Sequence, residues 1–509
     1  MHQVLDALTF FGRELIHMLS LPLLLASGVS VLAGIIVGAL PGLTATLAVS
    51  LLVGITYSFD TTLALVILIG IYVGGVYGGS QTAILLNIPG TPASAASAIE
   101  GNLLARRGLA GQAIGIATLS SFVGTLFGAL MLLVASPLLG SIALRFGSWE
   151  YFLLAVFGVM ICGSLAAGNP IKGWIGGFMG LMFAMIGMDA MQGFARFTFG
   201  QFQLNGGISL IPAMIGLFAI PEIIDSLTRK ERPAVIRKVI SVLPRWSSFK
   251  RHLPTTFRSG IIGTAIGIVP GAGEDIAAWV SYANAKRFSK APELYGTGCE
   301  EGLVASEVAN NTCIGGALVP LLTLAIPGGS VSAVILGALF IHNVRPGPLL
   351  FTEQPEFFYQ IVAMLVIAAV FMLFGGLAAA RILPHVLQVP VGVLMPVITV
   401  LCVVGAFAVS SRIFDVYLMF AFGLLGYFLK RFGYTPAPIV LGLILGPMAD
   451  ENLRRALYLS DGSLMPLLTR PISLILTSVI LVTVLGSLAQ LMRRPRRDGS
   501  RREVSAETP

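Results

Sequence analysis

Gly34-Ile-Ile-Val-Gly38-Ala-Leu-Pro41-Gly42 returns 229 residues later as Gly263-Thr-Ala-Ile-Gly267-Ile-Val-Pro270-Gly271. Further on, Ile88-Pro89-Gly90 with Ser94-Ala95 matches Ile326-Pro327-Gly328 with Ser332-Ala333 at an offset of 238, preceded by Gly78 and Gly316 at the same offset. Ordered matches at nearly constant spacing predict a duplicated unit. Every match carries Pro-Gly inside an apolar run. Proline removes a helical hydrogen bond and clashes with the preceding turn, and the glycine after it permits positive φ. These four positions therefore read as breaks or hairpins within membrane-spanning helices. In lipid, freed backbone groups are tolerated only where protein buries them or a water-filled cavity reaches them.

Composition places the breaks in a membrane. Of 509 residues, 56% are hydrophobic and 11% charged, too few polar side chains to cover a soluble protein of this length. At about 20 apolar residues per crossing, the chain predicts an all-α polytopic membrane protein of about ten to thirteen transmembrane segments in two repeats. The expected layout is an N-terminal segment 1–20, a first repeat 21–227, a basic linker 228–258, a second repeat 259–470, a helix 471–492 and a tail 493–509. Asp6 and Glu14 stand where a cleaved signal would be basic, so the first helix is expected to stay. The linker holds Arg229, Lys230, Arg232, Arg237, Lys238, Arg245, Lys250, Arg251 and Arg258, and the tail holds Arg493, Arg494, Arg496, Arg497, Arg501 and Arg502. The positive-inside rule places both in the cytoplasm and explains the charge without nucleic acid. Cys162, Cys299, Cys313 and Cys402 are too scattered for a disulfide or metal framework and read as packing residues.

Corresponding interruptions in two halves point to a transporter's binding site, where half-helix N-termini offer N–H groups and positive dipole ends to an anion. The substrate-binding candidates are Asn87, Pro89, Gly90, Thr91, Pro92 and Ser94 in the first half, with Asn310, Asn311, Pro327, Gly328, Ser330 and Ser332 in the second. Gly38, Pro41, Gly42, Gly267, Pro270, Gly271 and Gly273 frame them. Ser80, Gln81, Thr82 and Ser97 add neutral donors and acceptors nearby. Glu274, Asp275 and Glu307 are candidates for binding Na⁺ or carrying a proton; the first two equally suit capping of the helix after Gly273. Asp189 and Arg196 read as an interfacial pair. His2, His17, His252, His342 and His385 show no metal-ligand spacing, and no nucleotide loop or nucleophile elbow is present, so neither an enzyme nor a cofactor is expected.

The same residues resemble a known family. Gly38-Ala-Leu-Pro-Gly-Leu-Thr44, Ile71-Tyr-Val-Gly-Gly-Val-Tyr-Gly-Gly-Ser80 and Ile84-Leu-Leu-Asn-Ile-Pro-Gly-Thr-Pro92 are similar to signatures of the large membrane subunit (TctA type) of tripartite tricarboxylate transporters. So are Pro270-Gly-Ala-Gly273, Glu307-Val-Ala-Asn-Asn311, Pro320-Leu-Leu-Thr-Leu-Ala-Ile-Pro-Gly328, Arg345-Pro-Gly-Pro-Leu-Leu350, Arg196-Phe-Thr-Phe-Gly200 and Leu441-Gly-Leu-Ile-Leu-Gly-Pro447. The resemblance spans about residues 20–460. Gly101-Asn-Leu-Leu104 departs from the family's usual Gly-Tyr-Pro-like turn, and Glu274-Asp275 is more acidic than many relatives. It implies a permease in a bacterial inner membrane, importing a tricarboxylate-like organic acid on a Na⁺ or proton gradient. The implied partners are a periplasmic solute-binding protein and a small TctB-type membrane subunit. A passive anion channel and a membrane-embedded enzyme or scaffold are the competing classes. A channel predicts polar residues in continuous register along several helices rather than clustered at breaks.

Overall fold

Where the first matched stretch lies, one helix ends at Ala39 and the next begins at Ala45; in its counterpart the ends are Ile268 and Gly273. The computed structural model describes residues 2–40, 43–143, 145–165, 170–189, 193–228, 250–386 and 391–493. Pro41, Gly42, linker residues 229–249 and tail residues 494–509 fall outside these, as does the side chain of Cys162. The described chain is almost entirely helical. Its helices are α1 His2–Met18, α2 Leu21–Ala39, α3 Ala45–Thr56, α4 Thr61–Leu86, α5 Ala95–Leu104, α6 Ala110–Ala143, α7 Ser148–Leu165, α8 Pro170–Ala184 and α9 Leu210–Thr228. There follow α10 Leu253–Ile268, α11 Gly273–Phe288, α12 Glu300–Leu324, α13 Ser330–Ile341, α14 Pro355–Val386, α15 Val391–Ala408, α16 Ile413–Arg431, α17 Pro436–Leu459 and α18 Pro471–Arg493. Among the described residues, strand is confined to a two-residue ladder, Gly187–Met188 against Ala195–Arg196.

Among the described residues, six helices are long and apolar enough to cross a membrane, including Thr61–Leu86 and Pro355–Leu383, and five shorter apolar helices accompany them. This is a multi-pass membrane protein. The long apolar runs 22–56 and 313–344 are each two helices separated by a break. One boundary differs from the sequence reading. Helix α10 starts at Leu253, inside the stretch assigned to the linker, because Pro254 suits a first helical turn and Thr256 bonds the His252 carbonyl at 3.1 Å. Arg258, read as a linker charge, lies on this helix with its guanidinium 5.4 Å from the Phe288 ring centroid.

Glycine sets how closely the helices pack. A Cβ at Gly38 or Gly78 would collide with the carbonyl of Gly75 or Ile35, so α2 and α4 touch backbone to backbone. In the second half, a Cβ at Gly267 would stand 2.7 Å from the Cys313 carbonyl, and one at Gly263 would strike that of Ala309. Helices α2 and α4 thus run parallel, as do α10 and α12.

The two pairs run in opposite senses. Thr255 near the start of α10 donates to Glu301 at the start of α12 at 2.7 Å. At that same end, Asn102 of α5 donates to the Ile84 carbonyl near the end of α4, and Glu100 of α5 meets the amides of residues 296–299. Helix α12 therefore begins where α4 finishes. The opposite end holds the start of α14, joined to the later part of α1 by Arg13–Glu356 at 2.9 Å.

Steric necessity at Gly38 makes a prediction. Gly38→Val should destabilise the folded protein by about 1–3 kcal/mol or more, the range for overpacking. Gly392→Ala, with no neighbour within 4 Å, should leave the thermal unfolding midpoint in detergent unchanged. Equal midpoints for both variants would contradict the close approach.

Candidate substrate and ion site

Helices α4 and α12 end alike. Asn87 and Ala325, 238 residues apart, both adopt left-handed backbone conformations, with φ of 59° and 56°. Asparagine tolerates this region; alanine does so only under constraint. The chain then doubles back along the helix it has just left. A Cβ at Gly90 would collide with the Gly38 carbonyl, and one at Gly328 with that of Gly267. Both glycines are therefore demanded by packing. Ser94 and Ser332 spend their hydroxyls locally. Ser94 accepts from the Thr91 amide at 3.3 Å and donates to its carbonyl at 2.7 Å, and Ser332 does the same for Gly329 at 2.8 and 2.9 Å.

The two connections of the second half meet. The Gly271 amide donates to the Gly328 carbonyl at 2.9 Å, and a Cβ at Gly329 would stand 3.3 Å from the Gly273 Cα and 3.7 Å from Glu274 Oε2. Pro327 and Gly328 are buried and Ser330 half-buried, whereas Asn87, Pro89 and Pro92 are exposed. The N-termini of α11 and α13 therefore begin side by side within the bundle. The Glu274 carboxylate, in the first turn of α11, accepts from the buried Tyr72 hydroxyl of α4, tying the halves together. Asp275, one residue on, is exposed.

A second polar centre lies on α12. Glu307, Asn310 and Asn311 are fully buried. Ser121 of α6 donates to Glu307 Oε2 at 2.8 Å, and Asn311 Nδ2 donates back to the Glu307 carbonyl at 3.0 Å. Ser97 of α5 meets Ser306 at 3.0 Å. Glu307 Oε1, the hydroxyls of Ser80 and Thr91, both amide atoms of Asn310 and Asn311 Oδ1 have no hydrogen-bond partner among the described residues.

Sequence reasoning missed Glu100, fully buried, which accepts from the Tyr282 hydroxyl at 2.6 Å and from the amides of Gly296, Gly298 and Cys299 at 2.6–2.8 Å. It also missed Tyr72 and Ser121, which sit in apolar runs with nothing local to mark them. The Asp189–Arg196 pair proves to be part of a larger network. Arg196 reaches Asp450 at 2.9 Å, and Arg454 bridges Asp450 and Asp189 at 2.9 Å each. Asp189, Arg196 and Asp450 line a cavity of about 840 Å³ that reaches Leu324 and Ala325, where α12 ends. Arg345 also lines it, exposed and without a hydrogen bond or ion pair among the described residues.

Re-entrant connections meeting inside an all-helical bundle define a transporter-like polytopic membrane protein. The chain belongs to the tripartite tricarboxylate transporter TctA family, whose model matches residues 24–441. It is 38% identical over 469 residues to an Agrobacterium vitis protein described as the uncharacterized 52.8 kDa protein in the TAR-I ttuC' 3' region, covering 92% of this chain and 93% of that one. A second Agrobacterium vitis protein, from the TAR-II ttuC' 3' region, is 36% identical over 234 residues, covering 46% of this chain and 97% of its own length. No solved structure matches. The family is one of transporters, and its systems have three parts.

Tyr72→Phe should lower stability by about 1–3 kcal/mol, because it leaves a buried carboxylate short of a donor. Tyr72→Phe with Glu274→Leu should be less destabilising than the sum of the single changes, read as unfolding midpoints in detergent. Strict additivity would mean that the pair is not coupled.

Proposed function

We propose that this chain is the large permease subunit of a binding-protein-dependent secondary transporter that imports a small organic carboxylate on a Na⁺ or proton gradient. The observation that carries this reading, in a member of this family, is the meeting of two helix N-termini. Helix α11 starts at Gly273 and α13 at Ser330, and Gly329 lies against Gly273. Both helices bring their positive dipole ends to this meeting point, an arrangement suited to an anion. Similarity of the matched breaks, with opposed running directions, further supports an inverted repeat of the kind that places substrate at the bilayer midplane.

Charge supports an orientation. Arg251 beside the start of α10 and Lys286 and Arg287 at the end of α11 gather at the end where α12 begins. On the positive-inside rule that end is cytoplasmic, in the inner membrane of a bacterium. The cavity then opens on the periplasmic side, where a solute-binding protein would deliver its ligand; a small membrane subunit would complete the system. In this reading Arg345 receives the carboxylate before it reaches Pro327-Gly328, because an unpaired guanidinium binds carboxylate with charge-assisted geometry.

Uptake of labelled carboxylate into proteoliposomes, with binding protein and small subunit present, is the test. Transport unaffected by removing the binding protein and the ion gradient would overturn the reading. Asn311→Ala and Pro327→Ala should lose most uptake with normal membrane insertion, and wild-type rates in both would move the site elsewhere. Arg345→Gln should raise the half-saturating concentration about tenfold, the effect of losing one charged hydrogen bond.

A further inference from the structure

Glu307 presents a problem that its hydrogen bonds do not solve. A buried carboxylate without a counter-charge is costly, and the usual remedy is a cation or an ion pair. Among the described residues no basic side chain stands beside Glu307; the groups that face it are the hydroxyls of Ser80, Ser97 and Ser121, from α4, α5 and α6, with Tyr77 of α4 nearby. Of these, Ser121 bonds Oε2, while Oε1 and the Ser80 hydroxyl remain unpaired. Asn310, one helical turn beyond Glu307 on the same face of α12, is fully buried with both amide atoms unpaired. Ser80, Ser97, Ser121 and Glu307 come from four helices with a single formal negative charge among them, and Asn310 stands one turn further along α12.

We infer that Ser80, Ser97, Glu307 and Asn310 form a binding site for a sodium ion. Hard cations take oxygen ligands, and one carboxylate among neutral oxygens balances one positive charge. Among the described residues no group of three or more His, Cys, Asp or Glu is placed to hold a metal, so a multi-acid site of the kind used by divalent ions is not what converges here. The site also explains how an ion could govern the solute. Thr91, whose own hydroxyl is unpaired, packs against Gly79, the neighbour of Ser80, at the tip of the first-half connection. An ion gathering Ser80 toward Glu307 fixes that connection against α12. It also engages Asn310 Oδ1 and leaves Asn310 Nδ2 free to donate. This inference rests on the transporter reading for its purpose, though not for its chemistry.

The test is thermal unfolding of the full chain in nanodiscs, titrated with NaCl against KCl and choline chloride at constant ionic strength. Sodium should raise the midpoint saturably, and the other two salts should not. Ser80→Ala should raise the half-saturating sodium concentration about tenfold, as expected for one lost buried polar contact. Glu307→Gln should abolish the shift. Asn452→Ala, at the distant cavity wall, should keep it. If Glu307→Gln does not fold, the Ser80→Ala titration decides alone. Equal shifts with all three salts, an undiminished sodium shift in Ser80→Ala, or stabilisation that follows pH rather than sodium would overturn the site; the last would make the occupant a proton. A sodium shift in a protein that moves no carboxylate would keep this site and remove the transport reading instead.

Discussion

Backbone-to-backbone contact between parallel helices is the constraint on which the rest of this structure depends. Because Gly38 and Gly78 bring α2 against α4, and Gly263 and Gly267 bring α10 against α12, no side chain separates the members of either pair. That closeness allows the returning segments at Gly90 and Gly328 to lodge against the carbonyls of Gly38 and Gly267. The breaks are thus packed into place by protein atoms at a depth where lipid could not satisfy them. Where helices are this close, a break is held as firmly as a helix.

Three of the buried acids are satisfied in three different ways. Glu100 is saturated by backbone amides and a tyrosine, Glu274 is met by Tyr72 across the halves, and Glu307 has hydroxyls but no countercharge. The first arrangement is purely structural. The second fixes the acid next to the paired helix N-termini, where it adds negative charge to a region otherwise prepared for an anion. Only the third leaves coordinating capacity unused, which is why the ion is assigned to Glu307 rather than to the more conspicuous Glu274-Asp275.

Much of the architecture was legible because glycine and proline mark backbone events directly. The breaks came from such marks, and the membrane class from the scarcity of charged side chains. The left-handed turn at Ala325 was not legible, since alanine carries no sign of it. Nor were the contacts of Glu274 and Glu307, whose partners lie 202 and 186 residues away in sequence. Periodicity also says nothing about relative direction, so the opposed sense of the two helix pairs emerged only from which ends share hydrogen bonds. The serines after each break were read as ligands because a hydroxyl near a break suits either a substrate or a cap; both are committed to the cap. Asp189, Arg196 and the Arg345–Leu350 and Leu441–Pro447 stretches were all singled out, but their convergence on one cavity was not legible, because it depends on how α7, α8 and α17 pack.

The saturated carboxylate of Glu100 carries a mechanical implication. It grips three backbone amides within residues 296–299 from a helix belonging to the other half. Helix α5 and the root of α12 are thereby riveted, and Tyr72 with Glu274 adds a second rivet deeper in. Any motion that keeps these bonds carries α5, α11 and the root of α12 together as one block.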